Sequence, residues 1–200
     1  MKNTNKKIAV DIDDVLLDFH NTIRLWHNKN YGTFLEEGDF NSYFFNEVWG
    51  GTIQEAIQKV NEFHYSSEFR NAPPLSGSIS AIETLSKEKE LFLVTSRPYF
   101  VKKETEEWIN TFFRDKFSGI FYASNHYSKA KNLGKTKFQI CQELGVSMLI
   151  DDSPDYIKQC SSKGINGILF GDYPWNRKVI LPSRVLRVKN WEEFSQNLTK

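Results

Sequence analysis

Apolar residues fall in short runs separated by stretches of helical spacing, and three of those runs stop on residues able to handle phosphate. Ile8-Ala9-Val10 stops on Asp11, residues 91–94 stop on Thr95, and Met148-Leu149-Ile150 stops on Asp151-Asp152. Short apolar runs, each followed by a helical pattern, predict parallel strands buried on both faces. Open parallel sheets bind ligands in the crevice at the C-terminal ends of their strands. Carboxylates far apart in sequence are therefore expected to meet on one rim.

Between the first two runs, residues 18–30 carry Phe19, Ile23 and Trp26 at near-helical spacing. Residues 53–63 form a second helical stretch after an irregular aromatic segment over 34–49. No strand is expected in this block, which ends at Ala72-Pro73-Pro74-Leu75, a stop that suits a linker. A helix over 78–87 then feeds the second strand. Beyond Thr95 the alternation predicts helix 101–113, strand 119–123, helix 137–144, strand 147–150, helix 154–162, and strands 167–170 and 185–188. A closing helix follows, with Asn190 as N-cap and Glu192 and Glu193 in its first turn. Gly134, Gly145 and Gly164 punctuate these helices. The expected fold is α/β: a three-layer, Rossmann-like parallel sheet built from residues 1–17 and 76–200, with residues 18–75 inserted after the first strand.

With 200 residues the chain has room for one core and such an insertion. Lys and Arg number 26 against 25 Asp and Glu, so the net charge of +1 provides no field for extended nucleic acid, and any bound phosphate is expected on a small molecule. No apolar stretch approaches a membrane span, and residues 1–7 are polar without a signal-peptide apolar region. A soluble cytoplasmic protein without a membrane partner is expected. Cys141 and Cys160 form no C-x-x-C, and His20, His27, His64 and His126 form no H-x-x-x-H pair, which argues against a disulfide framework or a zinc enzyme. The oligomeric state is left open, a homodimer included.

Candidate chemistry begins at Asp11-Ile12-Asp13. A strand ending in D-x-D puts two carboxylates on one side of the chain, where they repel unless a positive charge intervenes. Mg2+ suits such a pair, being a small hard cation held by one or two carboxylates, waters and a phosphate oxygen. One carboxylate is then able to attack phosphorus while its neighbour protonates the leaving oxygen. A bare D-x-D is more often the mark of a turn or a solvated strand end than of catalysis, and the other two motifs reverse that balance. Thr95 and Ser96 offer hydroxyl and backbone donors for phosphoryl oxygens. Arg97 is placed to pair with a phosphate or with the acids, although Arg97-Pro98 also reads as a turn.

The ordered set resembles the haloacid dehalogenase (HAD) superfamily of phosphatases across nearly the whole chain. Asp11-Ile12-Asp13-Asp14-Val15 fits the first motif, D-x-D-x-[T/V]. Leu91-Phe92-Leu93-Val94-Thr95-Ser96 fits the second, and Met148-Leu149-Ile150-Asp151-Asp152 the fourth. The resemblance implies a HAD-like core in which Asp11 is the nucleophile, becoming an aspartyl-phosphate, and Asp13 is the general acid and then the base. It implies Mg2+ held by Asp11, the backbone carbonyl of Asp13 and an acid of the fourth motif, with Asp152 as direct ligand and Asp151 as its support. The family's lysine falls on Lys137, with Lys135 the competitor. Asp155 either steadies the metal site or begins a helix.

The insertion over 18–75 matches the size of a small helical cap that covers the active site and selects substrate. Tyr43-Phe44-Phe45 and Trp49 lie in its loop, where rings are placed to sandwich a base or to staple the cap. Within the superfamily the resemblance is nearest to the type C 5'-nucleotidases, which include the deoxyribonucleotidases. Ala9-Val10-Asp11-Ile12-Asp13-Asp14-Val15, Val94-Thr95-Ser96-Arg97-Pro98, Leu149-Ile150-Asp151-Asp152-Ser153-Pro154 and Asn190-Trp191-Glu192-Glu193 carry it. A nucleoside or deoxynucleoside monophosphate is the expected substrate, and a sugar phosphate or phosphoprotein the alternative. A receiver-type signalling domain uses similar residues but places its acidic pair at the first strand, the reverse of the order here. A binding module without catalysis fits poorly with Asp11 and Asp13 both retained.

Overall fold

The structure, a computed structural model, describes residues 7–42, 44–124 and 134–198. Tyr43 and His126 lie outside the described residues. Six strands, β1 (Lys7–Val10), β2 (Glu90–Thr95), β3 (Ile120–Tyr122), β4 (Met148–Asp151), β5 (Asn166–Phe170) and β6 (Val185–Val188), form one sheet in the order β3-β2-β1-β4-β5-β6. All of its pairings are parallel. The chain steps outward from β1 to β3, then returns to the other side of β1 at β4, and this reversal opens a crevice beside the end of β1. Val10 is in register with both Leu93 and Ile150, and the Asp11 amide donates to the Ile150 carbonyl at 2.9 Å. Asp11 and Asp151 thus leave neighbouring strands at the same level.

The helices are α1 (Phe19–Tyr31), α2 (Phe45–Trp49), α3 (Ile53–His64), α4 (Ser67–Arg70), α5 (Ser78–Leu85), α6 (Lys102–Phe112), α7 (Lys137–Leu144), α8 (Pro154–Ser161) and α9 (Trp191–Leu198). Side chains alternate across a strand with period two, and here both sets are apolar. Ile8, Val10, Leu91, Leu93, Ile150 and Ile168 join one core with Ile82, Trp108, Trp191 and Phe194 of α5, α6 and α9. Ala9, Phe92, Val94, Leu149 and Leu169 join a second core with Ile140, Cys141, Ile157 and Cys160 of α7 and α8. The result is three layers, as the double-sided apolar runs predict.

Helices α1 to α4 fill the stretch between β1 and α5, and their Ile23, Trp26, Phe45, Phe63 and Phe69 extend the first core. Gly32 ends α1 in the left-handed conformation, φ 62°, where a Cβ would be strained. Thr52 begins α3 with a capping box: its hydroxyl accepts from the Glu55 amide, and the Glu55 carboxylate accepts from the Thr52 amide at 2.7 Å. Two elements depart from the pattern read in the sequence. The aromatic segment expected to be irregular contains α2, and α4 follows α3 unannounced. Each is a turn or so of helix, too short to display periodicity and too costly to nucleate alone. Phe45 and Phe69, both buried, anchor them by packing.

At the other end of the chain Asn190 accepts from the Glu193 amide at 2.9 Å, the expected N-cap. Trp191, next to it, is 1% exposed and donates its indole N–H to the Val15 carbonyl at 2.6 Å, tying α9 to the turn after β1. Trp191→Phe keeps most of the packing and leaves that buried carbonyl unpaired. It is expected to lower stability by about 1–3 kcal/mol, read as an earlier urea midpoint at unchanged slope.

Candidate active site

The turn that follows β1 sets the direction of the acidic side chains. The amides of Leu16 and Leu17 both donate to the Ile12 carbonyl, at 2.8 and 2.9 Å, and Asp14 adopts φ 57° to close the loop. Asp is among the few residues with a side chain that tolerates this region. Here the Asp14 carboxylate accepts from the His20 amide at 3.0 Å and pairs with His20 Nδ1. The Tyr173 hydroxyl donates to the Asp14 carbonyl at 2.8 Å. The turn is therefore fastened both to α1 and to the loop after β5.

Lys137 opens α7 just past Thr136, whose hydroxyl accepts from the Gln139 amide in a second capping box. The lysine is 1% exposed, and its ammonium lies 2.9 Å from Asp11 Oδ1 and 2.7 Å from Asp151 Oδ2. Lys135, its competitor, points to the surface and pairs with Glu143. Burial works against the charge on Lys137, but Asp11 and Asp151 outweigh it and hold the ammonium above its ordinary pKa. The Tyr156 ring lies 4.5 Å from the same nitrogen.

Both oxygens of Asp151 are committed: Oδ2 to Lys137 and Oδ1 to the Ser153 amide at 2.9 Å. Asp152 turns the other way, accepting from the Trp175 indole at 2.9 Å, while its carbonyl accepts from Asn176. Ligand oxygens of Asp11, Asp151 and Asp152 all lie within 4.8 Å of one another. Three buried carboxylates thus face one buried ammonium. Asp11 is pushed up to about 7 by burial, with Asp151 and Asp13 adding to the rise and Lys137 opposing it. Asp152 is raised by burial and by Asp151, Asp14 and Asp11. Crowded, desolvated carboxylates of this kind gain from a divalent cation, and hard oxygen donors match Mg2+. Asp11 Oδ1 is buried, and the Lys137 ammonium at 2.9 Å is the one cation paired with it among the described residues, so it keeps acceptor capacity. The donor set fits the ion.

The Asp13 carboxylate stands apart from that cluster. Arg97 grips it, Nη2 to Oδ1 at 2.6 Å and Nε to Oδ1 and Oδ2 at 3.1 and 3.0 Å. Any share of Asp13 in metal binding is thus left to its backbone carbonyl, the atom the resemblance implies, and of the two partners open to Arg97, phosphate or acid, the acid is the one it meets. Thr95 is fully buried and accepts from the Arg97 amide at 3.1 Å. Ser96 donates to the Tyr156 hydroxyl at 3.0 Å.

A cavity of about 220 Å³ opens above these groups, lined from the core by Asp11, Asp13, Lys137 and Asp152 and from the helical block by Phe44, Phe45 and His64. Trp49 does not line it. That ring stacks instead on Phe45 at 4.6 Å and on His27 at 4.5 Å, so its expected substrate contact is replaced by packing within the helical block. Burial pushes His64 down to about 4, keeping its imidazole neutral beside Asp13 and Arg97.

The sequence pattern missed His20, His64, Tyr156, Tyr173 and Trp175. Histidines tested only for metal-ligand spacing are invisible when their partner is a turn carboxylate. The Gly171-Asp172-Tyr173-Pro174-Trp175 stretch did carry a signal, since aromatic residues in a loop at the C-terminal end of a parallel strand border the ligand crevice. Tyr173 and Trp175 stack at 4.6 Å, and Trp175 meets His20 at 4.0 Å between ring centres.

Solved structures share this architecture. A haloacid dehalogenase-like family hydrolase from Streptococcus pneumoniae superposes with a TM-score of 0.69 at 15% identity, over 98% of this chain and 100% of its own. YfnB from Bacillus subtilis, described as a HAD hydrolase bound to magnesium, gives 0.63 at 15% identity over 98% and 99%. CbbY from Rhodobacter sphaeroides, solved in complex with phosphate, gives 0.63 at 13% identity over 96% of each chain. At such identities the likeness establishes the HAD fold and no more. Comparison with curated proteins gave no match. The profile of the 5' nucleotidase, deoxy (pyrimidine), cytosolic type C proteins matches residues 5–200. With the fold and nearly the full length in agreement, the chain belongs to the cytosolic type C 5'-nucleotidase family, phosphatases of the HAD superfamily.

Proposed function

We propose that this phosphatase hydrolyses nucleoside or deoxynucleoside 5'-monophosphates through a phosphorylated Asp11. The observation that carries the proposal is the buried Lys137 held between Asp11 and Asp151 beneath the aromatic-lined cavity. A carboxylate oxygen of Asp11 attacks phosphorus, the bond to the ester oxygen breaks, and Asp13 gives its proton to the leaving alkoxide. Asp13 then takes a proton from water, which attacks the same phosphorus and returns Asp11 and inorganic phosphate. Lys137 offsets the charge gathered on Asp11 and the phosphoryl oxygens, and Ser96 supplies a hydroxyl at the cavity. Asp11 and Asp152, with the Asp13 carbonyl, would hold Mg2+, and Asp151 would steady both Lys137 and the loop. When bound, Mg2+ supplies positive charge that neutralises phosphate and carboxylate repulsion.

Residues 18–75 act in this proposal as a cap that excludes bulk water and selects the ester by Phe44 and Phe45. The family profile is described as cytosolic, and among the described residues no helix is long and apolar enough to cross a membrane. A cytoplasmic enzyme acting on a small monoester is the reading that follows.

Phosphate release across nucleoside monophosphates, deoxynucleoside monophosphates and sugar phosphates tests the assignment. Nucleotides are expected to exceed sugar phosphates by about 10-fold or more in kcat/KM, the scale on which differential pocket contacts act. EDTA should halt release and added Mg2+ restore it. Equal rates on sugar phosphates would move the assignment to another monoester, and release undiminished by EDTA would remove the metal.

A further inference from the structure

Arg97 is buried although its side chain is charged. It is 4% exposed, yet it lies on the segment after β2 that borders the cavity. Its guanidinium is held on three sides. Nε and Nη2 fork onto the Asp13 carboxylate, as the distances above show. Nη1 donates to the Thr105 hydroxyl of α6 at 3.1 Å. The guanidinium carbon lies over the Phe69 ring of α4, 4.9 Å from its centre. A planar fork matches a carboxylate in a way that an ammonium does not, and the ring beneath the cation adds a further contact. Thr105 is fully buried and Phe69 is 2% exposed, so neither support is a surface contact.

We infer that Arg97 is a positioning residue that sets the aim of Asp13, and that Phe69 couples that aim to the helical block over the cavity. Arg97 acts through Asp13 and not by holding phosphate. The inference rests on the proposed role of Asp13 as proton donor to the leaving oxygen. In-line attack demands that the donor sit within hydrogen-bond reach of that oxygen. Asp13 is more exposed than the acids it stands beside, with 24% of its side chain accessible against 9% or less for Asp11 and Asp151. Left alone, such a carboxylate rotates freely, whereas two N–H groups of a rigid guanidinium, reaching both of its oxygens, restrict it. Because Phe69 belongs to the block between β1 and β2, a shift of that block relative to the sheet moves the surface on which the guanidinium rests.

Leaving-group dependence separates positioning from phosphate binding. A nucleoside alkoxide is a poor leaving group and needs the proton, whereas p-nitrophenolate leaves with little help. The quantity to measure is kcat/KM with Mg2+ present, which reports steps up to phosphoryl transfer, for a deoxynucleoside monophosphate and for p-nitrophenyl phosphate. Asp13→Asn sets the signature of a lost proton donor, about 100-fold or more on the nucleotide with a far smaller loss on the aryl ester. Arg97→Met is expected to reproduce that bias, Arg97→Lys to recover part of it, and Phe69→Leu to show it in weaker form without removing a buried charge. Circular dichroism checks that each variant is folded, and Phe69→Leu carries the test if Arg97→Met fails to fold. Equal losses on both esters in the Arg97 variants, or no bias with Phe69→Leu, would overturn the inference while leaving the Asp13 assignment standing. A flat response in Asp13→Asn would instead remove the proton-donor role itself, and the positioning inference with it.

Discussion

Asp11→Asn is expected to abolish turnover, with a loss of about ten-thousand-fold or more, the scale seen when a covalent nucleophile is deleted. The amide is nearly isosteric with the carboxylate, so the cavity and the sheet should remain intact, but it offers no anionic oxygen to attack phosphorus. Stability provides the control. Asp11 has a folded-state pKa raised to about 7, chiefly by burial. A raised carboxylate pKa means that its contribution is fully present below the unfolded value and lost as pH rises through about 7. Without metal, the parent therefore weakens between acid and mildly alkaline pH, and Asp11→Asn loses that component of the decline. Thermal unfolding at pH 5 and pH 8 in EDTA is the measurement. Added Mg2+ should raise the parent's midpoint, by about 2.7 kcal/mol at a hundredfold excess over Kd, and the variant's much less. A variant that turns over at a substantial fraction of the parent rate would eliminate Asp11 as nucleophile.

Lys137→Met carries the second large effect, on stability and activity together. The methionine fills most of the volume but leaves Asp11, Asp151 and Asp152 gathered in the interior with no cation among them. Breaking a buried ion pair from one side typically costs about 3–5 kcal/mol. That cost should appear in metal-free buffer at neutral pH and shrink as acid neutralises the carboxylates. Mg2+ should recover part of it. Turnover is expected to fall about 100- to 1000-fold, as when a preorganised charge facing a transition state is removed. The comparison with Lys135→Met is decisive because the two lysines are neighbours in sequence. Lys135 makes an exposed pair with Glu143, so its removal should change stability by less than about 1 kcal/mol. Comparable losses in both variants would contradict the assignment of the charge to Lys137.

Much of the rim was legible in the sequence because it follows from strand ends. Apolar runs buried on both faces identify β1, β2 and β4, and a parallel sheet aligns the residues that terminate them. Asp11, Thr95 and Asp151-Asp152 therefore converge for reasons of topology alone. Lys137 was legible over Lys135 only as the lysine that opens the helix, since two lysines two positions apart have the same chemistry. The capping box at Thr136 fixes which of them starts α7 pointing inward. The choice between the neighbouring acids has a similar cause. Asp151 is the last residue of β4 and is consumed by Lys137 and the Ser153 amide, while Asp152 faces the opposite side toward Trp175.

Where the pattern was silent or misleading, packing had the final word. Trp49 reads as a substrate ring from its place in an aromatic loop, but a single turn of helix carries it onto His27 and Phe45. Arg97 reads from its place after Thr95-Ser96 as a partner for either a phosphate or the acids, and its reach and its planar fork settle it on Asp13. His64 gave no local signal because the groups it faces across the site, Asp13 and Arg97, lie far away in sequence. Hydrophobic periodicity and strand-end chemistry, which depend on neighbours along the chain, determined the α/β class, the order of the elements and the acids on the rim. The tertiary structure alone decided which cation meets which acid and which rings face the cavity, because a side chain's direction is set by whatever packs against it from distant segments.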